Sequence, residues 1–238
     1  MLYMMFSSFA VDASKLRFLL IFIPMQIKIF TFNPVGEQTY VLSDDSHECV
    51  IVDPGCFDSS EEALLDEFVA SHGLKPVAAW FTHLHFDHCW GAAHVVAKYG
   101  VPVFASADDE FLLTDVNRQM TAAWGLPAPA PFSVTNFLTD GQMLRFGNSS
   151  ARVITTPGHT PGGVSFFFEH DAVCLTGDTL FRMSIGRTDF PLGSLPDLVN
   201  SVRCKLLQLP EDTVVLPGHG AQTRIGDEML SNPYINEC

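Results

Sequence analysis

From Met25 onward the chain alternates short apolar runs with polar turns. Residues 27–32, 38–42 and 49–53 read as a strand meander, broken by Asn33-Pro-Val-Gly36 and by the polar stretch 43–48. The period then changes. Leu64, Leu65, Phe68 and Val69 recur at helical spacing, Ser59 and Ser60 can cap the helix, Glu61 and Glu62 suit its positive end, and Gly73 follows its last turn.

Residues 76–81 predict a buried strand, 91–99 a helix, 101–105 a strand and 108–124 a longer helix. Pro127-Ala-Pro-Ala-Pro131 is stiff and extended, because each proline turns the residue before it away from helix, and it reads as a loop between two halves of one fold. Strands are expected at 142–146, 152–155, 164–168 and 172–176, then a helix at 195–207 and a last strand at 213–216. Strands come in runs with helices interspersed in both halves. This order fits an α/β fold of four layers, an αββα sandwich of two mixed sheets flanked by helices, better than one doubly wound sheet.

Residues 1–24 stand apart. Lys15 and Arg17 precede an apolar run at 18–23, as in a secretory signal, yet Pro24-Met-Gln-Ile-Lys28 follows with no small-residue cleavage site. The run is also far short of the roughly 20 residues that span a bilayer. These residues read as an extension, disordered or translated from an upstream start, with the folded domain over 25–238.

Composition narrows the function. A chain of 238 residues, 47% hydrophobic and 17% charged, has enough apolar content for one globular domain and excludes a disordered or fibrous protein. Thirteen basic against 27 acidic residues leave a net charge of −14, which repels phosphate backbones and argues against a nucleic-acid partner. The six cysteines form no CxxC pair and read as reduced thiols of a cytoplasmic protein, with Cys49 and Cys174 as core filling. No membrane association is expected, and oligomeric state is left open.

The chemistry gathers at strand ends. Val77-Ala-Ala-Trp-Phe-Thr leads into His83, Val153-Ile-Thr-Thr-Pro-Gly into His159, Val173-Cys-Leu-Thr-Gly into Asp178 and Thr213-Val-Val-Leu-Pro-Gly into His219. Each is a buried strand followed by a small-residue turn that carries a metal-capable side chain, where rigid elements aim loop residues into a crevice. The densest cluster is His83-Leu-His85-Phe-Asp87-His88. A tight loop cannot bring all four donors to one ion, but alternation lets His83 and His85 face one way and Asp87 and His88 another, so two adjacent ions follow. Imidazole with carboxylate suits zinc, iron or manganese and does not select among them; zinc is the ion expected here.

With these motifs the chain resembles the metallo-β-lactamase superfamily over about residues 27–225, whose signature is HxHxDH followed by a His, an Asp and a final His. The resemblance implies that His83, His85 and His159 hold one metal, that Asp87, His88 and His219 hold a second, and that Asp178 bridges both alongside a water or hydroxide. Asp87 and Asp178 are then the carboxylates in the catalytic role. Asp53, in Ile51-Val-Asp-Pro-Gly55, matches a recurrent element whose carboxylate orients a ligand histidine. Two cations lower the pKa of a shared water from 15.7 towards about 7, so a metal-bridged hydroxide attacks with no need for a serine or cysteine nucleophile. Cys89, beside the cluster, fits packing.

Within the superfamily the chain looks most like compact members of the glyoxalase II group, the hydroxyacylglutathione hydrolases. The matching phrases are Thr82-His-Leu-His-Phe-Asp-His88, Pro157-Gly-His-Thr-Pro-Gly-Gly163, Gly177-Asp-Thr-Leu-Phe181 and Pro217-Gly-His219. This implies hydrolysis of a small-molecule thioester such as S-lactoylglutathione. In that group a lysine lies nine and a tyrosine eleven residues after the bridging Asp, where this chain has Arg187 and Asp189, and a tyrosine two residues after the last His is Ala221. Full-length members also carry a C-terminal helical domain that holds glutathione. Arg187 is the candidate grip for a substrate carboxylate. The alternatives are a glutathione persulfide dioxygenase with one Fe(II), and a metal-stabilised binding module without activity. A lactonase of this scaffold places a tyrosine where Phe181 stands.

Overall fold

The computed structural model describes residues 25–236, so the expectation for residues 1–24 lies outside the described residues. The first sheet contains β1 (Gln26–Phe32), β2 (Glu37–Ser43), β3 (Glu48–Val52), β4 (Lys75–Trp80), β5 (Val103–Ala105) and β6 (Asn136–Phe137), in that spatial order. Its first three strands are antiparallel and β3 to β6 run parallel. The second sheet is built from β7 (Met143–Phe146), β8 (Ser149–Thr155), β9 (Val164–Phe168) and β10 (Val173–Gly177). A small hairpin of β11 (Leu180–Phe181) and β12 (Ser184–Ile185) follows, and β13 (Val214–Pro217) and β14 (Thr223–Arg224) then complete the sheet in the order β14-β13-β10-β9-β8-β7. Only β10 and β13 are parallel in it, so both sheets are mixed, as expected.

Alternation along the strands explains the layers. Tyr40, Leu42, Val50, Val52 and Trp80 point between the sheets, where they meet Phe146, Phe166, Phe168 and Leu216. The intervening Val41, Cys49, Ile51, Ala79 and Phe81 point the other way, onto α1 (Ser59–Ser71) and α3 (Ala92–Tyr99). On the second sheet Ile154, Phe167, Cys174 and Val215 do the same for α5 (Leu195–Cys204). Strands buried on both faces carry unbroken apolar runs, which is why β3, β9 and β10 were legible. Trp80 is the central wedge, with ring centroids 6.0 Å from Phe146 and 5.4 Å from Phe166.

Several local expectations are corrected. Asp58, not Ser59 or Ser60, caps α1, its Oδ1 accepting from Ser60 N at 2.9 Å and Glu61 N at 3.1 Å. The carboxylate stands in extended backbone one residue earlier, so the serines already belong to the first turn. The single helix expected at 108–124 is a 3₁₀ turn, Ala107–Leu113, followed by α4 (Asp115–Ala123). The chain breaks at Thr114, whose ψ of −146° is not helical, while Asp109 is drawn into the interior. The helix expected at 195–207 ends at Cys204 and continues as a 3₁₀ turn, Leu206–Gln208. The short pieces β6, β11, β12 and β14, with α2 (Phe86–Cys89), α6 (Ile225–Ser231) and α7 (Pro233–Asn236), were not expected.

The ends of β3, β4, β8, β10 and β13 open on one edge of the sandwich. There the two sheets are tied together: Gln38 N donates to Gly218 O at 2.8 Å, and Tyr40 Oη donates to Pro217 O at 2.6 Å.

Candidate metal centre

His83 leaves β4 through Thr82, whose N and Oγ1 donate to Asp53 at 2.7 and 2.5 Å. His85 precedes α2, and that single turn carries Asp87 and His88. His159 follows β8, Asp178 follows β10 and His219 follows β13. The four residues named from the strand ends and the three others of the His83–His88 cluster meet in space. His83, His85 and His159 form one set, Asp87, His88 and His219 another, and Asp178 joins His83 and His88 in a third, with the donor atoms of each set within 4.8 Å of one another.

Asp178 lies between the two groups. Its Oδ2 is 3.5 Å from His159 Nε2 and 3.6 Å from His219 Nε2, and its Oδ1 is 3.5 Å from His88 Nε2. His85 Nδ1 stands 2.8 Å from His159 Nε2, and His219 Nε2 stands 3.1 Å from Asp87 Oδ2. A tetrahedral ion with bonds of about 2.0–2.1 Å spaces its donors by about 3.3 Å, the middle of this range. Donors of the cluster also lack other partners: His83 Nε2, His88 Nε2 and Asp178 Oδ1 are buried with no hydrogen bond. Buried lone pairs without a donor are costly, and a cation satisfies several at once. The residues therefore fit divalent metal.

Electrostatics agree. Burial, then the neighbouring imidazoles, hold His83 well below the usual imidazole range and His85 down to about 3, so both offer lone pairs at neutral pH. Burial works against the charge on Asp87 and Asp178, but His88 and His219 outweigh it and keep both carboxylates ionised. His88 is the reverse case: burial disfavours its proton, yet Asp87, Asp53 and Asp178 raise it well above its ordinary value.

Two oriented histidines explain how the donors are aimed. His88 Nδ1 donates to Asp53 Oδ2 at 3.0 Å, the support anticipated for Asp53, and His159 Nδ1 donates to the backbone carbonyl of Arg187 at 2.7 Å. In each case the other ring nitrogen, Nε2, is left for the centre. Gly218 is required here because a Cβ would lie 2.2 Å from Asp178 Oδ1 and 2.7 Å from His88 Cε1.

Arg187 reaches the rim of the cleft, but its guanidinium is engaged. Nε and Nη2 each donate to the Asp189 carboxylate at 2.6 Å, and the group lies 4.1 Å from the Phe190 ring centroid. The cleft above the cluster encloses about 330 Å³, with Phe86, Trp124, Phe181 and Phe190 among its walls. Cys89 is buried, and burial raises its thiol well above the ordinary range, so it packs rather than reacts. Cys49, Cys56 and Cys174 are likewise buried free thiols, and Cys204 is an exposed one. Among the described residues no helix is long and apolar enough to cross a membrane.

Sequence reasoning missed three buried polar residues around the site. Glu37 lies 3.9 Å from His88 Nδ1, and burial raises its carboxyl well above the usual carboxylate range. Asp109 and Asn117 bond the backbone of the His83–His88 loop. Asp109 and Asn117 find their partners far away in sequence, and Glu37, bonded locally by Thr39 Oγ1, comes to His88 only through the fold, so no local spacing marks them.

The profile of the metallo-β-lactamase superfamily matches residues 33–219. The chain is 32% identical over 213 residues to the hydroxyacylglutathione hydrolase GloC of Haemophilus influenzae, covering 89% of this chain and 99% of that one. The crystal structure of the BLEG-1 B3 metallo-β-lactamase is similar with a TM-score of 0.82 at 36% identity, over 89% of this chain and 100% of that one. The di-iron-bound form of TTHA1623 is similar with a TM-score of 0.77 at 35% identity, over 87% and 99%.

Proposed function

The chain belongs to the metallo-β-lactamase superfamily of metallo-hydrolases, whose fold implies divalent cations at its His/Asp cluster, and from that premise we propose that it hydrolyses a small-molecule thioester, S-lactoylglutathione being the type substrate. The observation that carries the reading is the convergence of seven donors, three with a buried, unpartnered donor atom, at the floor of an aromatic-walled cleft. The likeness to GloC, a hydroxyacylglutathione hydrolase, supports the thioester as the bond cleaved.

His83, His85 and His159 would hold one ion and Asp87, His88 and His219 a second, with Asp178 placed to serve either. Zinc is the ion expected for this donor set, and the di-iron form of a similar structure makes iron the next candidate. When bound, such ions supply Lewis acidity towards the carbonyl and lower the pKa of water towards about 7. The protein does the rest. Asp53 and the Arg187 carbonyl fix the tautomers of His88 and His159. Asp87 and Asp178 face the cleft as ionised carboxylates and orient the attacking water. The rings of Phe86, Phe181 and Phe190 thin the solvent around the reacting carbonyl. A thiolate of pKa near about 8.5 departs with little help from an acid, and the site needs none. Arg187 grips a substrate carboxylate in exchange for Asp189.

The test is metal content measured on the same sample as hydrolysis of S-lactoylglutathione, neutral thioesters and a β-lactam, the last because the BLEG-1 lactamase is similar. Two metals per chain with thioester turnover is expected. A sample holding two metals that cleaves no thioester defeats the reading, and β-lactam cleavage in its place would reassign the substrate. One iron per chain with oxygen uptake on glutathione persulfide would make it a dioxygenase. A His85→Ala variant that melts earlier without losing any turnover would leave a binding module.

A further inference from the structure

The three histidines of the first set come from loops far apart in the chain, after β4 and after β8, and something must hold those loops in register. Asp109 bonds to both. It is fully buried in the 3₁₀ turn 107–113. Its Oδ2 accepts from Leu84 N at 3.2 Å and from Thr160 Oγ1 at 2.8 Å, and its Oδ1 accepts from Gly162 N at 2.7 Å. Leu84 is the residue between His83 and His85, and Thr160 follows His159.

The opposite side of Leu84 is held as well. Asn117, buried on α4, donates its Nδ2 to Leu84 O at 2.9 Å. The break at Thr114 lets the 3₁₀ turn and α4 present both side chains to one residue's backbone. Gly162 completes the fit, because a Cβ there would lie 2.6 Å from Asp109 Cγ. Among the described residues no lysine or arginine pairs with Asp109, so three neutral donors balance a buried acid. An apolar side chain would fill that space at lower cost. Asp53 serves both sets, since it bonds His88 and also Thr82, whose Oγ1 lies 3.1 Å from His83 Nδ1, whereas the hydrogen bonds of Asp109 go to Leu84, Thr160 and Gly162, beside ligands of the three-histidine set alone.

We propose that Asp109, seconded by Asn117, is a positioning residue for the three-histidine cation site: it sets the spacing of the His83–His85 loop against the His159 loop, and so tunes one site and not the other. The inference rests on the cluster holding two cations and is independent of which bond is cleaved.

Zinc titration of the metal-free protein against a chromophoric chelator tests it, with His85→Ala identifying which binding step belongs to the three-histidine set. In Asp109→Asn that step is expected to weaken by about 10- to 100-fold, as for other residues that orient ligands, while the other step holds. Thr160→Ala, which leaves Asp109 with Leu84 and Gly162, should weaken the same step by less. Should Asp109→Asn fail to fold by circular dichroism, Thr160→Ala carries the test. Equal loss at both steps, or none at either, overturns the proposal. Wild type that takes up no zinc would overturn the two-cation reading and this inference with it, whereas two ions without selective loss overturns the inference alone.

Discussion

His159 can offer Nε2 because its Nδ1 is already committed to the Arg187 carbonyl, so residue 187 has two separable duties. The backbone duty survives any substitution of the side chain. The side chain is half exposed and held by Asp189, and an ion pair of that kind is worth about 1 kcal/mol or less, so a substrate carboxylate can displace it. Arg187→Ala is therefore expected to raise KM for S-lactoylglutathione roughly fivefold, about 1 kcal/mol, and to leave a neutral thioester unchanged. Asp189→Asn should shift the same KM down. Steady-state kinetics on both substrates decides, and equal effects on the two would remove Arg187 from substrate binding. Asp109 gives a second prediction. Burial, against its three hydrogen bonds, lifts the carboxyl from 3.8 to about 6. The fold then carries a cost for the ionised acid that the unfolded chain does not, and acidification relieves it until both states are protonated. Between about pH 7 and 4 the stability of metal-free wild type relative to Asp109→Asn should rise by up to about 3 kcal/mol in urea unfolding. A flat or falling difference would contradict it. The seven metal-capable residues were legible because they follow buried strands or stand in one dense cluster, whereas Asp109 acts through distant partners and Glu37 is brought to His88 only by the fold, so both look like ordinary surface acids in the sequence.

The strands with a clear period and α1 and α3 were placed from the sequence, while the helices expected at 108–124 and 195–207 are each interrupted, and the shortest pieces were missed. Two-residue strands such as β6 and β14 have no alternation to detect, and they exist because a neighbouring strand offers its edge. Residues 108–124 contain no glycine or proline, so nothing in the local sequence forces a break, although Thr114-Asp-Val-Asn117 is a run of weak helix formers. The inward turn of Asp109 goes with the break, and Thr114 Oγ1 closes it by donating to Phe111 O at 2.6 Å. The cap of α1 is the opposite kind of error, a local choice between adjacent residues that the structure assigns to Asp58. Asp58→Ala should cost about 1 kcal/mol in urea unfolding. Because α1 packs on the outer face of the first sheet, away from the cleft, zinc affinity should not change. A loss of affinity would mean that the outer layer transmits to the site.

At the scale of the molecule the cluster lies across the seam between the sheets. His83, His85, Asp87 and His88 come from the first sheet's side, and His159, Asp178 and His219 from the second. Apart from the central core, the seam at this edge rests on a few bonds such as Gln38 to Gly218. Cations held by both sides act as a cross-link that binds the folded state and not the unfolded chain, so their free energy adds to folding. The net charge of −14 works in the same direction, since it favours cations over the whole surface while the buried carboxylates define where they stay. At free zinc about 100-fold above the dissociation constant the gain is about 2.7 kcal/mol per site. For a domain of this size each kcal/mol is worth about 2–4 °C, so calorimetry of the zinc-loaded protein should show Tm about 5–10 °C above the chelated form for one site and more for two. His85→Ala and His219→Ala, each removing a donor from one set only, should each keep part of that gain. If either abolishes the whole of it, the two sets fill as one unit rather than as neighbours.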